Sequence, residues 1–415
     1  MKAVVFTLGC KVNECESDSL ISGLSNLGYE VSDKLVPADL YIVNTCAVTN
    51  EAEKKSRQMA SRIKKMSPNA KIIFTGCAVQ KDPKQFENKS NEFLLTGVFN
   101  KNEILSLLDE KGNHISAPCA EFEELLPVKS LRTRDYIKVQ DGCNNFCSYC
   151  IISYLRGRNR ARDPEKVYEE IKSTKAKEVV INGINLSAYN YNGINLTGLI
   201  KRLKDLPKRI RLGSLEVNII DREFLSALKS LKDFAPHFHL SLQSGCDSVL
   251  KKMNRHYTTA EYLEKVNLIR EYFADAGITT DIIVGFPTES EQDFLETTEF
   301  VKKVGFSDIH PFPFSSRSGT VASKMKDLPA DVKKQRLDKL LEIKKECKNN
   351  FALSMVNKEL DFLFEEIKDG YAVGYTQNYL RVYIKDYKKT KENEIEKVVV
   401  IKPFLDGAIA LAKGE

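Results

Sequence analysis

The chain has 415 residues, 42% hydrophobic and 29% charged, with 63 basic against 57 acidic side chains and a net charge of +6. That length exceeds one compact core and implies two or three domains, while the composition excludes a disordered or low-complexity chain. The small positive surplus permits an RNA partner without arguing for one, and no run of eighteen apolar residues marks a membrane span.

Met1 to Thr7 reads as a short strand and lacks the apolar core and cleavage site of a signal peptide. The expected location is therefore the cytoplasm, where ten cysteines stay reduced. They serve metal ligation, catalysis or burial. A strand over 3–7 is followed by a helix carrying Leu20, Ile21, Leu24 and Leu27 on one face. A strand over 40–43, a charged helix over 50–66 and a strand over 71–75 follow. This alternation predicts an α/β domain with a parallel sheet over 1–110. Residues 110–133, with Gly112, Pro118 and Pro127, read as a linker.

From Arg134 the alternation resumes, with strands expected at 136–139, 178–181, 209–213, 237–242, 279–284 and 307–312. Six strand–helix units in one series predict a barrel-like parallel α/β domain over 129–357, open or closed. Pro329 and Asp331 mark the start of a basic helix reaching about Met355. Beyond it, strands at 359–365, 370–375, 380–385, 397–402 and 405–411 predict a small antiparallel β-barrel over 358–415.

Cys143, Cys147 and Cys150 form a C-x3-C-x2-C run just after the first strand of the larger domain. Structural zinc takes four ligands, and no fourth Cys or His lies nearby. A cubane iron–sulfur cluster on three thiolates keeps one iron open. The competing reading, a zinc knuckle completed from elsewhere, fits this spacing less well. Cys10, Cys46 and Cys77 each follow a strand end by two or three residues, where open parallel sheets bind ligands. Buried structural cysteines are the competing reading for that second set. Cys15, Cys119, Cys246 and Cys347 share no spacing.

The first run resembles the signature of the radical S-adenosylmethionine (SAM) superfamily. Across almost the whole chain the sequence is similar to the methylthiotransferases. The matching segments are Thr7 to Asn13, Asn44-Thr45-Cys46, Thr75-Gly76-Cys77, Gln140 to Cys150 with Arg156-Gly157-Arg158, Leu240 to Gly245, and Val284-Gly285-Phe286-Pro287. The resemblance implies a flavodoxin-like N-terminal domain, a central partial (β/α)6 barrel and a TRAM-like C-terminal barrel that grips RNA. It implies two [4Fe-4S] clusters, an auxiliary one on Cys10, Cys46 and Cys77 and a radical one on Cys143, Cys147 and Cys150. Cys10-Lys11-Val12-Asn13 and the stretch from Asp141 to Ile152 look most like the branch acting on N6-threonylcarbamoyladenosine, immediately 3′ of the tRNA anticodon. Two departures are Ser153, where many relatives carry Pro, and Cys246, where they carry a small non-thiol residue.

The implied chemistry uses one SAM to methylate a sulfur at the auxiliary cluster. A second is cleaved reductively to a radical that removes hydrogen from C2 of the adenine. The implied partners are the tRNA anticodon stem-loop and a reductant such as a flavodoxin or ferredoxin. Alternatives are the same chemistry on isopentenyladenosine or on a ribosomal-protein aspartate, or an iron–sulfur electron carrier. By position, SAM contacts are expected at Gly183, Asn185, Ser214, Glu216, Gln243 and Gly285, all following barrel strands, although turn or cap roles are commoner for such residues singly. Arg156, Arg158, Arg160 and Arg162 alternate after the radical motif and are expected to face RNA. Arg317 and Lys11 are further substrate candidates, Lys11 because the threonylcarbamoyl group ends in a carboxylate that needs a cation.

Overall fold

The computed structural model describes residues 1–87, 93–127, 133–385, 387 and 393–413. Among them, no helix is long and apolar enough to cross a membrane. The backbone divides into two compact units. One comprises Met1–Thr174, Asn182–Gly193 and Ser315–Thr320; the other comprises Lys175–Ile181, Ile194–Phe314 and Val321–Glu415. The expected boundaries at 110, 129 and 358 are not those of compactness, and residue 129 itself lies outside the described residues.

In the first unit, β1 (Lys2–Thr7), β2 (Glu30–Ser32), β3 (Leu40–Thr45), β4 (Lys71–Gly76), β5 (Phe93–Leu95) and β6 (Gly112–Asn113) form a parallel sheet of order β2-β1-β3-β4-β5-β6. Both faces are covered. Val4, Val43 and Phe74 pack with Met59, Ala60 and Ile63, whereas Val5, Ile42 and Ile73 pack with Leu20, Ile21 and Leu24. Strands buried on both faces need continuous apolar runs such as Leu40 to Val43.

Helix α1 (Lys11–Asn26) supplies the second apolar layer, and α2 (Asn50–Met66) supplies the first. Thr49 caps α2 by accepting a bond from the Ala52 amide. Glu51 and Glu53 at its start and Lys64 and Lys65 at its end complement the helix dipole. Leu27 falls just past α1 and is 56% exposed, so it does not share the buried face. The expected linker is partly built into this unit. Gly112 and Asn113 extend the sheet edge, and the Glu123 carboxylate accepts from the Asn102 amide.

β7 (Arg134–Asp141) and the short β8 (Arg160–Ala161) pair antiparallel around the radical-type cysteine loop. That loop carries α4 (Ile152–Leu155); α3 (Cys77–Lys81) lies earlier, after β4.

The second unit contains most strands of the expected partial (β/α)6 barrel. Glu178–Gly183, whose last two residues belong to the first unit, pairs parallel with Arg209–Leu212, which pairs with Asp233–Phe234. Ser214–Leu215, His237–Leu240, Gly277–Val284 and Asp308–Pro313 form a second parallel sheet. Helices Arg222–Lys229, Thr259–Tyr272 and Glu291–Val304 fall between these strands, and the long helix Ala330–Ser354 follows them.

The C-terminal strands Glu359–Lys368, Tyr371–Thr376, Arg381–Lys385, Ile395–Phe404 and Gly407–Ala412 close into a barrel. It departs from the expected all-antiparallel pattern, since Arg381–Lys385 pairs parallel with Gly407–Ala412. Bulges at Phe364/Glu366 and Val400/Lys402 bend the two long strands, as closure of so small a barrel requires. Phe362, Phe364, Val382, Ile384, Val398 and Val400 alternate inward to fill it.

Candidate functional site

Three neighbouring parallel strands deliver the first cysteine set. Cys10 caps α1 after β1, Cys46 follows β3, and Cys77 opens α3 after β4. Glycines make the approach possible. Gly9, at φ +113°, lies so near Cys46 that a Cβ would stand 2.8 Å from the Cys46 Cβ and 2.9 Å from its sulfur. The Cys46 sulfur accepts from the Val48 amide at 3.4 Å. Burial pushes the Cys46 thiol up to about 12, and the Cys77 and Cys10 thiols add to the rise. Thiols that hinder one another's ionisation in this way become ligands once a metal centre supplies positive charge.

The second set lies on a loop folded back on itself. The Cys143 amide donates to Gly157 O at 3.1 Å, and Gly142, at φ +72°, sits against the Arg158 carbonyl where no Cβ fits. The Cys150 amide donates to Cys147 O at 3.0 Å. Burial pushes the Cys150 thiol up to about 12, with opposing hydrogen bonds from the Ile152 and Ser153 backbone. None of the ten cysteines is joined in a disulfide. Among the described residues no three His, Cys, Asp or Glu side chains are arranged to hold one metal ion; in a cubane each cysteine binds a different iron.

Asn185 stands beside this loop. Its amide donates to Gln140 Oε1 at 2.7 Å, its Nδ2 reaches the Cys143 sulfur at 3.7 Å, and its buried Oδ1 has no hydrogen-bond partner among the described residues. An orphaned buried acceptor beside a cysteine sulfur is open to a donor from a bound molecule. At Gly183 a Cβ would lie 2.8 Å from Gln140 Oε1, so the missing side chain leaves space that Gln140 fills.

Arg156 is completely buried and not directed at RNA, contrary to expectation. Its Nε donates to the Cys77 sulfur at 3.4 Å, Nη1 to Glu16 at 2.8 Å and to Asp141 at 3.2 Å, and Nη2 to Asn13 Oδ1 at 2.8 Å. Lys101 and Lys138 also pair with Glu16. Burial alone would push the Glu16 carboxyl up, but Arg156, Lys101 and Lys138 hold it well below the usual carboxylate range. Burial likewise opposes ionisation of Asp141, yet Lys138 and Arg156 keep it at about 2. Glu16, Lys101 and Lys138 escaped sequence reasoning. Asn13 and Asp141 lie in the motif segments, and that was the signal for them.

Arg160 and Arg162 also turn inward. Arg160 faces Asp141 at 3.6 Å, and Arg162 pairs with Glu124 and Glu170. Alternation in the loop is overridden because buried carboxylates attract the guanidinium groups. Arg317 is buried as well, bonding Val48 O, Asn50 Oδ1 and Glu53 rather than facing a substrate. Arg158 alone of the four is exposed, over the Phe146 ring at 4.6 Å. Lys11 is half-buried, with no hydrogen bond or ion pair among the described residues.

In the second unit, the exposed Ser214 follows Arg209–Leu212 and Glu216 pairs with Arg255 at 3.2 Å. Gln243, at φ +69°, bridges to Ile282 through its backbone. The Gly285 amide donates to Glu289 Oε2 at 2.7 Å, and the Lys333 stem occupies the space a Cβ would need. Glu216, Gln243 and Gly285 stand just beyond carboxyl ends of strands, whereas Ser214 opens the two-residue strand Ser214–Leu215. Cys246 donates to Asp293 and Glu296.

Two family models match the chain, the Radical SAM superfamily over residues 137–301 and the Uncharacterized protein family UPF0004 over residues 2–97. The threonylcarbamoyladenosine tRNA methylthiotransferase MtaB of Aquifex aeolicus is 38% identical, covering 94% of this chain and 98% of its own. That of Bacillus subtilis is 34% identical, over 97% and 94%. The tRNA-2-methylthio-N(6)-dimethylallyladenosine synthase of Natranaerobius thermophilus is 35% identical, over 83% and 81%. In fold, the chain is similar to the radical SAM methyltransferase TsrM from Kitasatospora setae, with a TM-score of 0.53 at 15% identity, covering 75% of this chain and 74% of that one.

Proposed function

The chain belongs to the radical SAM tRNA methylthiotransferases, and we propose from that premise that it converts N6-threonylcarbamoyladenosine, 3′ of the anticodon, to its 2-methylthio derivative. The observation that carries this reading is two three-cysteine sets in one compact unit, each one thiolate short of the four irons of a cubane. SAM and one [4Fe-4S] cluster follow from the superfamily. When bound, they supply the radical that activates the adenine C2 position. Cys143, Cys147 and Cys150 hold that cluster, and Asn185 offers its free Oδ1 to the nucleoside's amino group. Ser214, Glu216, Gln243 and Gly285 are further candidates for SAM, Glu216 through a carboxylate already held by Arg255. Cys10, Cys46 and Cys77 hold the auxiliary cluster. Arg158 contacts the RNA phosphates, the C-terminal barrel adds grip, and a flavodoxin or ferredoxin delivers electrons.

The chain's own residues do little acid–base work. They place the reactants within near-contact distance and keep water out. Nucleoside analysis of tRNA from a strain lacking the gene, with and without a plasmid copy, tests the reading. Loss and recovery of the 2-methylthio threonylcarbamoyl nucleoside is expected. Loss of the isopentenyl counterpart instead would favour the second reading, which the 35% identical dimethylallyladenosine synthase keeps open.

A further inference from the structure

We propose that Arg156 is the positioning residue of the auxiliary centre, setting its reduction potential through Cys77 and holding its loops through Asn13. The proposal rests on Cys10, Cys46 and Cys77 carrying a second cluster. Arg156 ends the short helix that follows the radical-type cysteines, its amide donating to Ile152 O at 2.8 Å. Its guanidinium nevertheless reaches the first cysteine set, with Nε 3.4 Å from the Cys77 sulfur.

Asn13 accepts from Arg156 at 2.8 Å and spends its own amide on Leu8 O at 2.7 Å and Thr45 O at 3.1 Å. Those carbonyls belong to the turns that present Cys10 and Cys46. One arginine thus touches one cysteine directly and orders the loops of the other two. Glu16 and Asp141 hold the guanidinium plane in place from the opposite side.

The charges point the same way. Among the described residues the fully buried cations Arg156 and Lys101 and the nearly buried Lys138 and Arg160 face three carboxylates, Glu16, Asp141 and Glu123. An additional cation beside a thiolate-ligated centre favours its more negative, reduced form. Hydrogen bonds to cluster sulfurs act in the same direction. Lysine would keep the charge but lose the planar fork that serves sulfur, amide and carboxylate together.

The test uses the full-length chain with Cys143, Cys147 and Cys150 replaced by Ala, reconstituted anaerobically with iron and sulfide, so that only the auxiliary centre can form. Arg156→Met and Arg156→Lys are compared in that background by iron and sulfide content, circular dichroism and an EPR-monitored redox titration. Arg156→Met is expected to shift the reduced-to-oxidised ratio at fixed potential at least tenfold toward oxidised, a potential about 59 mV more negative for one electron. Arg156→Lys is expected to shift it less. Loss of the centre from a still-folded Arg156→Met chain supports the proposal too. Equal potentials in loaded variants, or unfolding of the iron-free chain in both, overturn it. A reference protein that takes up no iron refutes the second cluster itself, a different failure.

Discussion

Glu16 and Arg156 stand 140 residues apart in the chain, yet their side chains meet at 2.8 Å with no exposure to solvent. Glu16 lies one turn before Leu20 on the side of α1 that carries the apolar residues; Arg156 comes from a loop whose alternating arginines suggest an exposed cationic strip. Each is tolerable in the interior only because the other is there, and each brings further partners.

Glu16→Gln should therefore destabilise the first unit severely. Removing one member of a buried ion pair costs about 3–5 kcal/mol, because the remaining charges are left uncompensated. Here Lys101, Lys138 and Arg156 would all lose their shared carboxylate. Urea unfolding of the iron-free chain measures it. A loss below about 1 kcal/mol, the scale of an exposed pair, would mean that the network is solvated in solution.

The two cysteine sets should separate by function. Alanine at Cys143, Cys147 or Cys150 is expected to abolish 5′-deoxyadenosine formation from SAM under strong reductant. Alanine at Cys10, Cys46 and Cys77 together should leave that cleavage measurable while the methylthio product disappears. Iron content equal to that of the unaltered protein in this triple variant would contradict a second cluster.

The strands whose ends carry the cysteines were legible because short continuous apolar runs and local spacing need no knowledge of distant residues. The six main strands of the larger α/β series and the long helix Ala330–Ser354 were legible for the same reason. The arginines were not: whether Arg156, Arg160 and Arg317 face water depends on Glu16, Asp141 and Glu53 arriving from elsewhere in the chain. β5 and β6 were missed because three- and two-residue strands carry no periodicity. The parallel pair that closes the barrel was invisible because pairing direction is a long-range property.

Lys11 is the cation the structure leaves without a partner among its described residues next to a proposed cluster ligand, and Lys11→Met should discriminate substrates. With the threonylcarbamoyl group present, activity should fall about tenfold or more, equivalent to about 1.4 kcal/mol of transition-state stabilisation. With tRNA lacking that group, the variant and the unaltered chain should differ little. The comparison requires both proteins to carry the same iron. Equal loss on both RNAs would assign Lys11 to the charge balance of the cluster, leaving Arg158 as the remaining exposed candidate.

The C-terminal barrel should not come away cleanly. Within the second unit it is tied to the strands before it by Arg209 with Asp361 at 3.3 Å, Asn378 Nδ2 with Asp275 O at 2.8 Å, and Arg211 with Thr376 O. Tyr379 is central to this junction. It stacks on His237 at 4.5 Å and on Tyr375 at 4.6 Å, beneath Arg211 at 4.8 Å. It does so from φ +69°, a conformation that a bulky side chain adopts only when its contacts repay the strain. Deletion after Met355 would strip the buried Arg209 and Arg211 of these partners, so reduced RNA binding by a truncated chain would not isolate the barrel's role. Tyr379→Ala is the sharper probe. Loss of two ring stacks and a cation–π contact is expected to cost about 1.5–5 kcal/mol, from about 0.5–1.5 per aromatic pair and about 0.5–2 for the cation. Relief of backbone strain should be absent, since alanine dislikes the same φ; Tyr379→Gly, which does not, should therefore recover part of the loss. Thermal unfolding of the three proteins settles it: a glycine variant no more stable than the alanine one would show that the left-handed backbone carries no strain.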